Sequence, residues 1–385
     1  MGKKTAFICD ESYFWHNSGD GALFEAPSKY LQGNASIESP EGKRRIKNLM
    51  EKSGLMDQLE GVKPAPATRE QLMYFHTEEH IENVKELSYG AGGDCGDYAT
   101  VSPGSYEIAK LSVGGAITAV RTVIENPLID RAYALVRPPG HHAEAYQGRS
   151  YCIFNNVAIA AYVAKYELGI KKILILDWDA HHGNGIEDAF YQEDSVLYIS
   201  IHQERLDPVN RGYMEDRGSG AGLGYNINIP LPAGSGDGAY QYAFEQVVIP
   251  AVEKFAPELI LVCAGQDGNP FDPLARMMVS AHCYRWMTKK TKELANKYSK
   301  GRLACIHEGG YCPAYVPFCT HAIVEELSGV KTDVEDPFIY AMEGTGYKEL
   351  LPHQKNRIDD VKMHLVGESG GQEDNDRVKR EIQYR

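Results

Sequence analysis

Short apolar runs recur along this chain, and most of them end abruptly in polar residues. The runs Lys4 to Cys9, Arg131 to Val136, Lys172 to Leu176, Val196 to Ile201, Glu258 to Cys263 and Arg302 to Ile306 are mostly apolar, and Ile173 to Leu176 is half β-branched. Continuous apolarity over so few residues predicts strands buried on both faces rather than helices. Between them the apolar positions take a helical period. Ser39-Pro40-Glu41 opens a segment with Ile46, Leu49 and Met50 as its stripe, and further helices are predicted over Arg69 to Leu87, Tyr106 to Ile124, Ala158 to Tyr166, Tyr240 to Phe255 and Ala281 to Lys297. Tyr13 to Asn34 and the Gly- and Asp-rich Gly90 to Pro103 have no period and read as loops. Strands alternating with helices imply an α/β fold: a mostly parallel sheet with helices on both faces.

Composition narrows the class. The 385 residues are 43% hydrophobic and 10% aromatic, enough for a large core, and no apolar run approaches the ~20 residues of a membrane span. Asp10 and Glu11 interrupt the basic N-terminus before a signal peptide's apolar region could form, so a cytoplasmic protein is expected. A net charge of −13 argues against a nucleic-acid binder. The eight cysteines show no CxxC spacing and several lie in apolar runs, which predicts buried thiols rather than disulfides. A domain over 1–365 is expected, followed by a Gly- and charge-rich tail over 366–385.

The polar clusters lie where the strands end. RPPGHHAE follows Val136, DWDAHHGNG follows Leu176, AGQDGNPFDP follows Cys263 and HEGGY follows Ile306. Parallel α/β sheets bind ligands just outside the carboxyl ends of their strands, so residues far apart in sequence can meet there. Asp177, Asp179 and His181 alternate along one such end, and with Asp267 from another loop they offer oxygen and nitrogen donors to a divalent ion. Three ligands, Asp179, His181 and Asp267, would leave a position open for water and substrate, the catalytic rather than the structural pattern. Asp267 taken alone serves equally well as a turn former. His141 and His142 follow a stiff Pro-Pro-Gly turn that suits a base, although adjacent histidines also occur as a plain turn pair. Tyr311, after Gly309 and Gly310, could donate to a developing oxyanion.

RPPGHH, DWDAHHGNG, LYISIHQ, AGQDGNPFDPLARM and EGGY, in this order, resemble the zinc-dependent histone deacetylase superfamily. Asn184 in HHGNG, with GYNINIPLPAGSGDGAY and YVPFCTHAIVEELSGV, is most similar to the class II type and to bacterial histone deacetylase-like amidohydrolases. The resemblance runs from about Phe7 to Val330 and implies the single-domain arginase-deacetylase fold. It also implies one catalytic zinc on Asp179, His181 and Asp267, with His141 buttressed by Asp177, His142 held by Asn184 as general base, and Tyr311 stabilising the transition state. A structural potassium is implied at Asp177, Ser200 and backbone oxygens near Asp179 and His181, and a second near Phe190, Val196 and Tyr225. Asp97, rather than Asp94, resembles the rim acid that grips substrate, and Arg45 the arginine of an acetate exit channel.

The resemblance implies hydrolysis of an acyl amide on a lysine or a small amine. Departures fall in the substrate tunnel. Tyr151 and Asp207 replace apolar walls, Gln266 replaces a phenylalanine, Ser150 stands where glycine is usual, and Leu274 follows Asp272-Pro273 where one polyamine-specific type has a glutamate. An acetylpolyamine amidohydrolase is therefore a second reading, and a silent binding module for acylated ligands a third. A binuclear manganese ureohydrolase shares the broad fold but not the His141, His142 and Tyr311 set. The long N-terminal loop is a candidate homo-oligomer contact by the same analogy.

Overall fold

The computed structural model describes residues 4–21, 25 and 27–366. The segment expected to be a tail lies outside the described residues except for Val366, which closes the helix Pro352–Val366. Eight parallel strands form the central sheet: β1 Lys4–Ile8, β2 Glu60–Val62, β3 Ile129–Ala134, β4 Ile173–Asp177, β5 Val196–Gln203, β6 Asn226–Leu231, β7 Leu259–Ala264 and β8 Leu303–His307. Their order is β6-β5-β4-β7-β8-β3-β1-β2. The α/β architecture expected from the alternating pattern is thus present, as a single domain.

Strand β4 shows why its sequence is apolar throughout. Leu174 and Leu176 point into one core with Met287 of the helix Ala281–Tyr298 and Ile323 of Val316–Ser328. Ile173 and Ile175 point into the other, with Val120 of Ser105–Glu125 and Val163 of Asn156–Tyr166. A strand covered on both faces has no solvated side for polar residues to occupy. All eight cysteines are free thiols and six are buried, as their apolar settings predict.

The structure differs from the sequence pattern in three places. The edge strand β6 was not predicted, because Asn226, Asn228 and Pro230 interrupt its apolarity; both asparagine Nδ2 groups donate to the buried Glu187 Oε2 (3.0 and 2.7 Å), and an edge position tolerates proline. β2 is three residues long and carries no periodic signal. The single helix expected over Arg69 to Leu87 is two, Arg69–Leu72 and Glu78–Tyr89, because Thr77 caps the second by accepting from His80 N (3.3 Å).

The core also encloses His16 and His202. Burial holds His16, whose Nδ1 lies 2.9 Å from Ser105 Oγ, down to about 3, and does the same to His202, whose Nε2 lies 3.0 Å from Gly212 O. Below the ordinary value of 6.5 the unfolded chain takes up protons that these folded imidazoles refuse. The stability these two histidines contribute is therefore complete above pH 6.5 and is lost as pH falls toward 3. Urea melts between pH 7 and 4 should show this decline with at least these two protons taken up on unfolding; a flat profile would contradict it.

Candidate active site

The four polar loops leave neighbouring strands, since β4, β7, β8 and β3 are adjacent in the sheet. Asp177 is the last residue of β4, Asp267 lies three residues beyond β7, Glu308 immediately follows β8, and Arg137 to His142 follow β3. Parallel pairing brings their carboxyl ends together, and the loops converge on one point.

At that point Asp179, His181 and Asp267, all buried, place one donor atom each within 4.8 Å of one another. His181 Nδ1 lies 2.7 Å from Asp267 Oδ2 and 3.3 Å from Asp179 Oδ1. Backbone amides fix the carboxylates: Ala180 N donates to Asp267 Oδ1 (2.7 Å), His181 N to Asp179 Oδ1 (2.9 Å) and Gly309 N to Asp179 Oδ2 (2.8 Å). Two glycines are needed here for close approach. A Cβ on Gly265 would stand 2.0 Å from Asp179 Oδ2, and one on Gly309 2.6 Å from Asp267 Oδ2. Burial and the Asp179 charge push Asp267 up to about 8, while His181 rises well above its ordinary value because the pull of Asp267 and Asp179 outweighs its burial. Two crowded, desolvated carboxylates with an imidazole form a donor set that a divalent cation relieves, and they fit zinc.

The histidine pair is locked by hydrogen bonds. Asn184 Nδ2 donates to Glu144 Oε1 (3.0 Å), which turns Asn184 Oδ1 toward His142 Nδ1 at 2.8 Å. His142 Nδ1 must then carry the proton, leaving Nε2 as an acceptor. Burial, with the nearby His141 and His181, holds the His142 pKa well below 6.5, so it is neutral and its Nε2 lone pair is available to accept a proton. His141 differs: burial opposes its charge, but Asp179 and Asp177 outweigh that and raise it to about 10, with Nδ1 3.1 Å from Asp177 Oδ2. Tyr198 Oη also donates to Asp177 Oδ2 (3.0 Å). Glu308, in the HEGGY motif but given no role there, accepts from Gly140 N (2.7 Å) and His141 N (3.2 Å) and so holds the Pro-Pro-Gly turn. With His141 and Cys152 it forms a second group of donors within 4.8 Å. Burial keeps the Cys152 thiol protonated, however, and His141 is already engaged by Asp177.

Tyr311 is positioned by its own amide, which donates to Asp272 Oδ2 (2.8 Å), and its ring packs 6.0 Å from that of Tyr151. Burial, then Asp179 and Asp267, raise its phenol well above 10, so the hydroxyl stays protonated and able to donate. At the rim, Arg149 Nη1 lies 3.1 Å from Asp97 Oδ2 and Arg149 Nη2 3.5 Å from Asp207 Oδ1, while Ser150 Oγ donates to Asp207 Oδ2 (2.5 Å). Asp207 is therefore not the free carboxylate that its sequence position suggests. Of the two rim candidates, Asp97 faces Arg149, whereas Asp94 Oδ1 accepts from Gly96 N and Ala99 N in its own turn. Ser150 and Tyr151 both hold positive φ, 45° and 69°, the left-handed region that favours glycine.

The surroundings of three further residues differ from those expected of a channel or tunnel lining. Arg45 has a half-exposed side chain that pairs with Glu41 (2.6 Å). Lys43, with its Nζ 5.8 Å over the Tyr311 ring, and Arg137 are both buried and both pair with the buried Glu38 (3.2 and 2.8 Å). Gln266 is no tunnel wall. It is fully buried and bonds Tyr133 Oη (3.3 Å), Thr320 Oγ1 (3.1 Å) and Ala264 O. Leu274 is buried in the Asp272 loop, its amide donating to Asp272 Oδ1 (2.9 Å). Ser200 is the register partner of Asp177, but its Oγ contacts His202 Nδ1 (2.8 Å); Tyr225 O accepts from Tyr198 N (2.9 Å), and Phe190 and Val196 are buried nearby.

The chain is similar to known proteins of one family. The histone deacetylase domain matches residues 36–327. A histone deacetylase-like amidohydrolase of Pseudomonas aeruginosa is 44% identical over 340 residues, 88% of this chain and 89% of that protein. A probable deacetylase of Archaeoglobus fulgidus is 35% identical, covering 87% and 94%. The crystal structure of the HDA15 HD domain superposes with a TM-score of 0.82 at 28% identity, covering 99% of each chain.

Proposed function

Because this chain belongs to the histone deacetylase family, a family of deacetylases and amidohydrolases, we propose that it hydrolyses a linear acyl amide with one zinc held by Asp179, His181 and Asp267. The observation that carries the reading is the convergence of those three donors beside a neutral His142 whose Nε2 is open. Bound there, zinc supplies a Lewis acid that polarises the amide carbonyl and acidifies water. His142 accepts the proton of the attacking water at Nε2. The protonated Tyr311 hydroxyl donates to the oxygen on which charge develops. His141, charged and held by Asp177, adds positive potential, and the proton taken up at His142 leaves with the amine. The products are a carboxylate and a free amine. A structural potassium at Asp177, Ser200 and backbone oxygens near Asp179 and His181 belongs to the same reading.

The polar rim bears on which amine is accepted. Arg149 divides between Asp97 and Asp207, so the mouth offers two carboxylates against one guanidinium rather than an apolar sleeve for a lysine stem. Amine release from acetyl-lysine peptides, acetylpolyamines and small acyl amides tests the reading. Small, polar or cationic acyl amines should be turned over best. Asp207→Asn, which keeps an acceptor for Ser150 but frees Arg149, should lower the cationic preference by about 1–3 kcal/mol in relative kcat/KM. No amine release from any substrate by the zinc-loaded protein would favour a binding module. An unchanged substrate ratio in Asp207→Asn would remove Asp207 from selection.

A further inference from the structure

A cavity of about 610 Å³ lies at the opposite end of the sheet from the active site. Lys172 directly precedes β4, and Leu197 and Ile227 are the second residues of β5 and β6, so the cavity opens at the amino ends of the strands whose carboxyl ends carry the catalytic groups. The five residues of β4 separate the two regions by about 16 Å at the ordinary rise per residue.

Its charge runs against that of the protein. Lys172, Arg217, Lys254 and Lys362 line it and, among the described residues, no carboxylate does, in a chain of net charge −13. Arg217 is the decisive residue. It is only 9% exposed, its Nε is buried without a partner, and among the described residues no hydrogen bond or ion pair satisfies its guanidinium. The other buried arginines are paired, Arg137 with Glu38 (2.8 Å) and Arg211 with Glu187 (3.2 Å) and Asp188 (2.5 Å). A guanidinium this largely buried and without a carboxylate partner gains from an anion, and its fork matches a carboxylate. The backbone presenting it is fixed, since Arg217 O accepts from Gly224 N (2.7 Å).

The remaining wall is apolar. Leu197, Ile227, Val247 and Phe255 face the cavity, Lys172 lies over the Phe255 ring at 5.4 Å, and Lys362 Nζ donates to Gln246 Oε1 (2.8 Å). The volume falls within the range of small-molecule pockets, ~300–1,000 Å³. A small inorganic anion would satisfy Arg217 but leave this wall wet. We infer that the cavity is a second ligand site, separate from the catalytic centre, which takes an amphiphilic carboxylate: a medium-length acyl or aryl-alkyl body on the apolar wall with its carboxylate on Arg217.

Isothermal titration of the metal-loaded full chain tests this, with octanoate as the probe, octan-1-ol as its uncharged counterpart and inorganic phosphate as the bare anion. Octanoate should bind at least tenfold more tightly than either control. Arg217→Met should weaken it at least tenfold, and Lys254→Gln, at an exposed position, several-fold. Neither variant should change amide hydrolysis, which separates this site from carboxylate binding at the catalytic metal. Equal binding of octanoate and octanol, tighter binding of phosphate, absence of octanoate binding, or octanoate binding unaltered in both variants would overturn the inference. Should Arg217→Met fail to fold, Lys254→Gln decides alone: unaltered affinity there overturns it, and weakened affinity with unaltered turnover supports it.

Discussion

Asp267→Asn will show no detectable amide hydrolysis at stoichiometric zinc, yet its metal-free fold will be at least as stable as that of the parent at pH 8. The two results share one cause. Asp267 sits buried beside Asp179 and is pushed up to about 8, so its charged form is unfavourable until a cation arrives. A group raised in the folded state makes the metal-free protein lose stability as pH climbs from the carboxylate range through about 8. Asparagine removes that charge while keeping an acceptor for Ala180 N. It also removes an anionic ligand, and with it the zinc. Thermal melts should show the parent rising in Tm on adding zinc, as ligand linkage requires, and the variant unmoved. A variant that still binds zinc and turns over would take Asp267 out of the metal site.

Tyr311→Phe is expected to lower kcat by roughly 10²–10³, about 2.7–4 kcal/mol, the scale for removing one oxyanion donor. The change deletes only a hydroxyl. Ring packing against Tyr151 and the Asp272 contact with the Tyr311 amide both survive it, so zinc content and Tm should not move. Single-turnover rates with a small acyl amide measure the effect on the chemical step. Near-parental rates would assign oxyanion stabilisation to another donor.

The sequence was most legible where burial left no choice. A strand covered on both faces has to be apolar, so β3, β4, β7 and β8 stand out, and the polar residues directly after them mark the open end of the sheet. Asp179, His181, Asp267 and the His141–His142 pair could be read from those positions. Less legible was anything set by tertiary direction. Helix Glu41–Lys52 carries three consecutive cations, Lys43, Arg44 and Arg45, and their spacing does not say which faces inward; the structure buries Lys43 and leaves Arg45 half exposed. Gln266 adjoins a metal-ligand candidate in sequence, yet its side chain bonds Tyr133 and Thr320 in the core. Arg149 carried no signal, because its meaning depends on Asp97 and Asp207, which lie 52 and 58 residues away. Glu308 was visible within HEGGY, but its partners, the amides of Gly140 and His141, come from another loop.

Titrating the metal-free protein with zinc while recording amine release tests the central claim most directly. Activity should rise in proportion to bound zinc and reach its plateau at one zinc per chain, the stoichiometry that Asp179, His181 and Asp267 can hold. Full activity without metal, or a plateau only at two metals per chain, would contradict it.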